Sequence, residues 1–281
     1  MSVTPEVAKP SISRSVTRVI KLGISVLYFA WKRTGRLLLG NQDGTCVVLY
    51  YHSVPTKYRE RFAQQMQLLA GQRKAIDIRR IDDLPANIDS VVITFDDALQ
   101  NFTENAVPVL VALKIPATVF VVTDALGNKP GWGEGYYSPD ERIMSEEELG
   151  TLPDLITVGS HTLTHPNLTT VSPESAATEL KLSREKLETL LRRPIPLFSF
   201  PHGAYNDFLL RECKDAGYQR VFTTEPELVP HAEDSYAVGR VPADPWDWWV
   251  EFRLKVAGGY CWQPVARNAV RSIRALVVAA N

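Results

Sequence analysis

Two carboxylates stand side by side at Asp96-Asp97, directly after the apolar run Val91-Val92-Ile93-Thr94-Phe95. Three β-branched residues and then Thr-Phe spell a buried strand, and a buried strand of an α/β protein delivers its C-terminal residues to the ligand-binding face. Adjacent like charges at that face need a reason. Asp97, or Asn101 after it, can cap a helix starting near Phe102. A second constellation points to a metal ion instead. The strand-like run Leu155-Ile156-Thr157-Val158-Gly159-Ser160 ends on His161-Thr162-Leu163-Thr164-His165. Imidazole is the commonest metal ligand, and two imidazoles four residues apart converge on one ion when the segment is turn-like or helical. Two of the five His therefore follow a strand as the Asp pair does. Strand ends at one face of a parallel barrel lie close in space, so Asp97, His161 and His165 can form a three-ligand site with positions left for water.

Together, Thr94-Phe95-Asp96-Asp97 and Ser160-His161-Thr162-Leu163-Thr164-His165 resemble the first two motifs of the polysaccharide deacetylases, the NodB-homology group of carbohydrate esterases. A third segment, Phe198-Ser199-Phe200-Pro201-His202-Gly203-Ala204-Tyr205, is similar to the family's Pro-aromatic-Gly groove motif, and the resemblance runs over roughly residues 45–245. It implies a distorted (β/α) barrel of about seven strands and metal-dependent removal of N-acetyl groups from an amino sugar. By the same resemblance Asp97, His161 and His165 are the ligands and Asp96 is the general base. The amide of His202, where the family usually has Tyr, then helps hold the oxyanion. Pro201, Gly203, Tyr205, His52, Arg240 and Trp246 are expected on the substrate side. Zinc is the first choice for Asp-His-His ligands, and Co, Ni, Mn or Fe also accept them.

The chain departs from the family pattern twice. An Arg usually precedes the Pro of the third motif and orients the base, but Phe198, Ser199 and Phe200 occupy those positions; Arg240 is the candidate replacement. The late Leu-x-His that supplies the general acid is also missing, since no His follows His231. His202, His231 and His52 are candidates for that role, with His202 first because it lies in the matched motif. These departures keep two other readings open: a small-molecule amidase or deformylase on the same scaffold, and a degenerate member that binds glycan without cleaving it.

The surrounding chain alternates strand and helix, which predicts parallel βαβ units. Strands are expected at Cys46–Tyr51, Ile76–Ile81, Ala117–Val122, Leu197–Phe200 and Gln219–Phe222. Helices are expected over 59–71, with Phe62, Met66 and Leu69 inward, over 102–114, from Ser145, from Ser172 to about Arg192, and from Asn206 to Gly217. The loop from Thr123 to Ser145 is long and carries Trp132, Tyr136 and Tyr137 among four Gly. Such a loop either offers aromatic faces to a sugar or is pinned down by its own aromatics. In Asp244-Pro245-Trp246-Asp247-Trp248-Trp249, at least two Trp are expected to cover the barrel's end instead of walling a groove.

With 281 residues and 45% apolar content the chain can bury one sizeable α/β core. A net charge of −1 gives no nucleic-acid signal, but the charge is uneven. Residues 7–42 carry seven Lys/Arg and no acid, and residues 252–281 carry five and no acid. We therefore divide the chain into a basic, partly apolar extension at 1–44, a deacetylase-like domain at 45–250 and a basic helical extension at 251–281. The uncharged run Leu22–Trp31 is too short to span a bilayer, which needs about 20 residues. It fits a helix lying on an anionic membrane surface, or one packed on the barrel. Three widely spaced Cys, at 46, 213 and 261, suggest no disulfide framework. A cytoplasmic protein resting on the inner membrane, acting on an N-acetylated glycan, is the resulting expectation.

Overall fold

The structure, a computed structural model, describes residues 12–40, 43–132, 137–229 and 236–267. Its centre is a sheet of nine parallel strands: β1 (Cys46–Tyr51), β2 (Lys74–Ala75), β3 (Ser90–Phe95), β4 (Ala117–Val121), β5 (Ile156–Ser160), β6 (Leu197–Ser199), β7 (Arg220–Phe222), β8 (Ala237–Val238) and β9 (Val241–Pro242). The order is β8-β7-β6-β5-β4-β3-β1-β9, with β2 on β3. β8 pairs with β7 and β9 with β1, yet only Gly239 and Arg240 separate them in the chain. The two edges of the sheet are thus consecutive in sequence, and the sheet curls into the (β/α) barrel that the alternation predicts.

Every residue of β3 and β4 is buried, which explains their unbroken apolar runs: one face meets the helices and the other the barrel interior. Side chains alternate between those faces. Val47, Leu49, Val91, Ile93 and Phe95 pack outward in the large core under the helices, while Cys46, Val48, Val92, Phe120, Phe222 and Val238 share a smaller inner cluster. This parity turns Thr94 and Asp96 inward with Val92. It also turns Arg240 inward with Val238, so residues 96 and 240 face each other across the interior.

The outer layer comprises α2 (Arg59–Gln72), α3 (Val107–Leu113), α4 (Glu146–Gly150), α5 (Pro173–Leu191), α6 (Asp207–Asp215) and α7 (Trp249–Val256). Local signals set several boundaries. Ser145 and Glu148 form a reciprocal capping box, and Ser172 caps α5 with Pro173 in its first turn. Asn206 caps α6, and Phe62, Met66 and Leu69 are the buried apolar residues of α2. Two expectations fail. Ile76–Ile81 is not a strand: pairing stops at Ala75, and a 3-10 turn at Ile78–Arg80, capped by the Asp77 side chain, carries Ile78 and Ile81 into the inner cluster. The helix expected from 102 opens as a wide π-type turn, Phe102–Ala106, before α3.

The N-terminal helix α1 (Ile12–Leu38) lies across α7. Leu22 and Phe29 meet the core, and buried Ser25 accepts a hydrogen bond from Trp262 Nε1 at 2.9 Å. Arg18 pairs with Glu251 and stacks over Trp248 at 4.4 Å. Lys255 pairs with Asp247 at 2.7 Å, and Arg61 lies 5.8 Å from the Trp249 ring. Trp248 and Trp249 are partly exposed, each beside an Arg side chain. The extension boundary expected at 250–251 falls in the first turn of α7, and residues 1–11 and 268–281 lie outside the described residues.

Candidate metal centre and active site

The barrel brings the two central motifs together. Asp97 Oδ1 lies 3.6 Å from His161 Nε2 and 3.3 Å from His165 Nε2, and one donor atom from each of the three residues falls within 4.8 Å of the others. An ion about 2.1 Å from tetrahedrally placed donors needs them about 3.4 Å apart, so these donors are spaced to share one. Two further observations fit a cation. Asp97 Oδ1 is buried without a hydrogen-bond partner, while Oδ2 accepts a short bond from Tyr137 Oη, leaving one oxygen free for an ion. His161 Nδ1 lies 2.7 Å from the carbonyl oxygen of Ser199, so Nδ1 carries the proton and Nε2 presents its lone pair. Burial is the main reason that the His161 pKa falls to about 4, so the ring is neutral, as a ligand must be. Neither Asp97 nor Asn101 caps the following helix; Asn101 instead accepts from Val54 N and donates to Ser53 Oγ.

The loops that carry these groups are strained. Asp97, Ala98, Thr162, His165 and His202 all take positive φ without being Gly, at roughly 1–3 kcal/mol each. Neighbours hold the His loop in place. Glu179 of α5 accepts from Leu163 N at 2.8 Å, Thr164 N at 3.0 Å and Thr164 Oγ1 at 2.6 Å, and Thr162 Oγ1 accepts from His165 N at 3.0 Å. Trp132 stacks on His165 with ring centroids 4.4 Å apart. Trp132 and Tyr137 thus pin the long loop onto the site, and Tyr136 lies outside the described residues.

Asp96 is bound from behind. Arg240 Nη1 and Nη2 donate to its two carboxylate oxygens, each at 2.7 Å. The remaining guanidinium donors go to Thr94 Oγ1, Ser199 Oγ and the Thr223 carbonyl. Arg240 is fully buried. All five of its N–H groups are engaged, so it has no donor left for a substrate, and the expectation that it contacts substrate is corrected: it positions the carboxylate. Burial, the largest single influence on Asp96, pushes its pKa up; Arg240, with His161 and His52, outweighs it, and the net shift is downward. The Arg missing from the third motif is replaced from the seam between β8 and β9, the two edges of the sheet.

The third motif runs beside His165. The His202 ring is exposed, 4.8 Å from the His165 ring. Pro201 is buried at the start of the turn and presents little surface. Gly203 has φ +65°, and a Cβ there would lie 1.8 Å from Thr224 Oγ1, so the left-handed backbone and the lack of room together account for Gly. Tyr205 is partly exposed and stacks on Phe200 at 5.5 Å. His52 packs against Tyr50 at 5.6 Å, and Trp246 against Tyr58 at 5.3 Å. His231 lies outside the described residues.

The sequence pattern of the family described as polysaccharide deacetylase matches residues 83–221, which span both carboxylates, both imidazoles and the third motif. The chain belongs to the polysaccharide deacetylase family. It is 28% identical over 209 residues to the protein YxkH of Bacillus subtilis (strain 168), covering 70% of this chain and 71% of that one. It is 29% identical over 162 residues to the poly-beta-1,6-N-acetyl-D-glucosamine N-deacetylase of Staphylococcus aureus (strain MRSA252), covering 54% of this chain and 53% of the relative. The match thus spans about half the length of the staphylococcal enzyme. Among solved structures, IcaB from Ammonifex degensii superposes with a TM-score of 0.65 at 24% identity, over 78% of this chain and 98% of that one. The Streptococcus pyogenes deacetylase PplD superposes with a TM-score of 0.61 at 22% identity, over 73% and 94%. These two show the fold that this deacetylase shares.

Proposed function

We propose that this deacetylase removes N-acetyl groups from an amino-sugar polymer, with Asp97, His161 and His165 holding a divalent ion and Asp96 acting as the general base. The observation that carries the reading is the division of labour between adjacent carboxylates: Asp97 keeps one buried oxygen free among two imidazoles, while Asp96 is clamped in its ionised form by Arg240. A divalent ion held by these three residues would lower the pKa of a water toward neutrality and polarise the acyl carbonyl. Zinc suits the donor set best.

Asp96 accepts the proton of the attacking water. The bidentate bond to Arg240 fixes the direction of its free lone pairs and keeps it from binding a proton beforehand. The backbone amide of His202 is aligned by its own left-handed φ and the Gly203 turn to meet the developing oxyanion. His202 itself, beside His165 and open to solvent, delivers a proton to the departing amine. Because Asp96 leaves the first step protonated and can return that proton, His202→Ala lowers turnover by only about tenfold, less than the 10²–10⁴ of a sole acid–base group. An unchanged kcat in that variant would remove His202 as the acid.

The polymer assignment draws on the staphylococcal relative, whose name gives a β-1,6-linked N-acetylglucosamine polymer as its substrate. Acetate release from oligomers of that sugar, by protein loaded with zinc and by protein stripped with chelator, tests the proposal. Release is expected only from the loaded protein and on oligomers in preference to simple amides. Glycan binding without acetate release would instead identify a non-cleaving member.

A further inference from the structure

Helix α1 has two different faces. The inner one is fixed to the barrel through Leu22, Ser25, Phe29 and the Arg18–Glu251 pair. The outer one carries Val16, Ile20, Ile24, Leu27, Trp31 and Leu38, all exposed, with Leu27 at 72% and Trp31 at 67%. Steps of four, four, three, four and seven residues keep these side chains on one line along a 27-residue helix about 40 Å long. A continuous apolar stripe of that length on a surface marks a partner.

Charge identifies the partner. No acidic residue occurs between residues 7 and 42, and the exposed Lys21, Lys32 and Arg33 lie on the same helix off the stripe. Lys32 Nζ lies 5.3 Å from the Trp31 ring, whose neighbour Tyr28 sits at 6.0 Å. A second copy of the helix would bring these cations against their own kind with no acids to pair them, whereas a coiled-coil seam is bordered by opposite charges. Anionic lipid headgroups match apolar side chains at the acyl boundary, aromatic rings at the interface and Lys/Arg above it. No helix among the described residues is long and apolar enough to cross a membrane, so the contact is with the surface.

We infer that the outer face of α1 docks the folded protein onto an anionic bilayer, with the helix axis in the membrane plane. The proposal rests on residues remote from the candidate site and stands apart from the reaction assigned there. Flotation of the full chain with vesicles tests it, using phosphatidylcholine alone and an equimolar mixture with phosphatidylglycerol. The protein is expected to float with the anionic vesicles and to be released as salt rises, because screening shortens the reach of the cations. Leu27→Glu/Trp31→Glu should weaken this association by about tenfold or more. Lys21→Gln/Lys32→Gln/Arg33→Gln should remove the preference for phosphatidylglycerol. All five side chains are exposed, so an unchanged unfolding temperature confirms that each variant is folded. Absence of flotation with either vesicle overturns the proposal, as does flotation unaffected by the Leu27/Trp31 change. So does light scattering that shows a dimer dispersed by that same change, which would make the partner a second copy.

Discussion

Asp96→Asn lowers deacetylation by about 10²–10⁴-fold while the protein still binds its metal, because the change removes the base but none of the three ligands. The amide keeps one oxygen for Arg240 but turns an NH₂ group toward a guanidinium nitrogen 2.7 Å away, donor against donor. A loss of stability of about 1–3 kcal/mol accompanies the kinetic effect. Turnover is therefore measured well below the unfolding temperature, and metal content is determined on the same sample. A variant that keeps its metal and more than about a tenth of its activity would remove Asp96 from the role of base.

Arg240→Met has two consequences at once. It leaves the Asp96 carboxylate buried without its cation, and breaking a buried pair from one side costs about 3–5 kcal/mol. The sign of the pH dependence follows. In the parent protein Arg240 holds the Asp96 pKa below its ordinary value, so this pair stabilises the fold at neutral pH, and the contribution fades as pH falls through the carboxylate range. Without Arg240, burial is opposed only by His161 and His52, and the Asp96 pKa rises relative to the parent. The variant should then unfold at lower denaturant concentration at pH 7, with a smaller difference from the parent in acid. Its acetate release should need a higher pH than the parent's. Equal stability and an equal pH profile in the two proteins would show that the pair contributes nothing. Arg240→Lys keeps the charge but not the fork, and separates electrostatics from orientation.

Much of this arrangement was legible in the chain. Strands β1, β3, β4 and β5 are runs of β-branched and aromatic residues, and the metal cluster stands at the ends of two of them. The caps at Ser145, Ser172 and Asn206 were equally plain, because a cap is decided within four residues. What was hard to read depends on closure of the sheet. Arg240 meets Asp96 across 144 residues, and only the parity of the interior strand β3 and of the β8–β9 seam turns them toward each other. Sequence, through the family resemblance, could nominate Arg240 to orient the base but could not show the geometry that brings them together. Tyr137 and Trp132 come from a loop without periodicity, so nothing local announces that one bonds Asp97 and the other covers His165. The misread strand at Ile76–Ile81 shows the opposite fault. Its Ile residues are apolar because a turn plugs the barrel floor, and plugging selects the same residues as pairing does.

The Gly239-Arg240 seam ties assembly to chemistry. Asp97, His161 and His165 stand after β3 and β5, whereas the counter-ion of Asp96 comes from residue 240, between the last two strands in the chain. The bidentate hold on Asp96 therefore depends on the pairing of β8 with β7 and of β9 with β1. An incompletely folded or clipped copy that loses this closure would capture metal yet spare the polymer, so a shortfall of acetate per bound ion would count the unfinished barrels in a preparation.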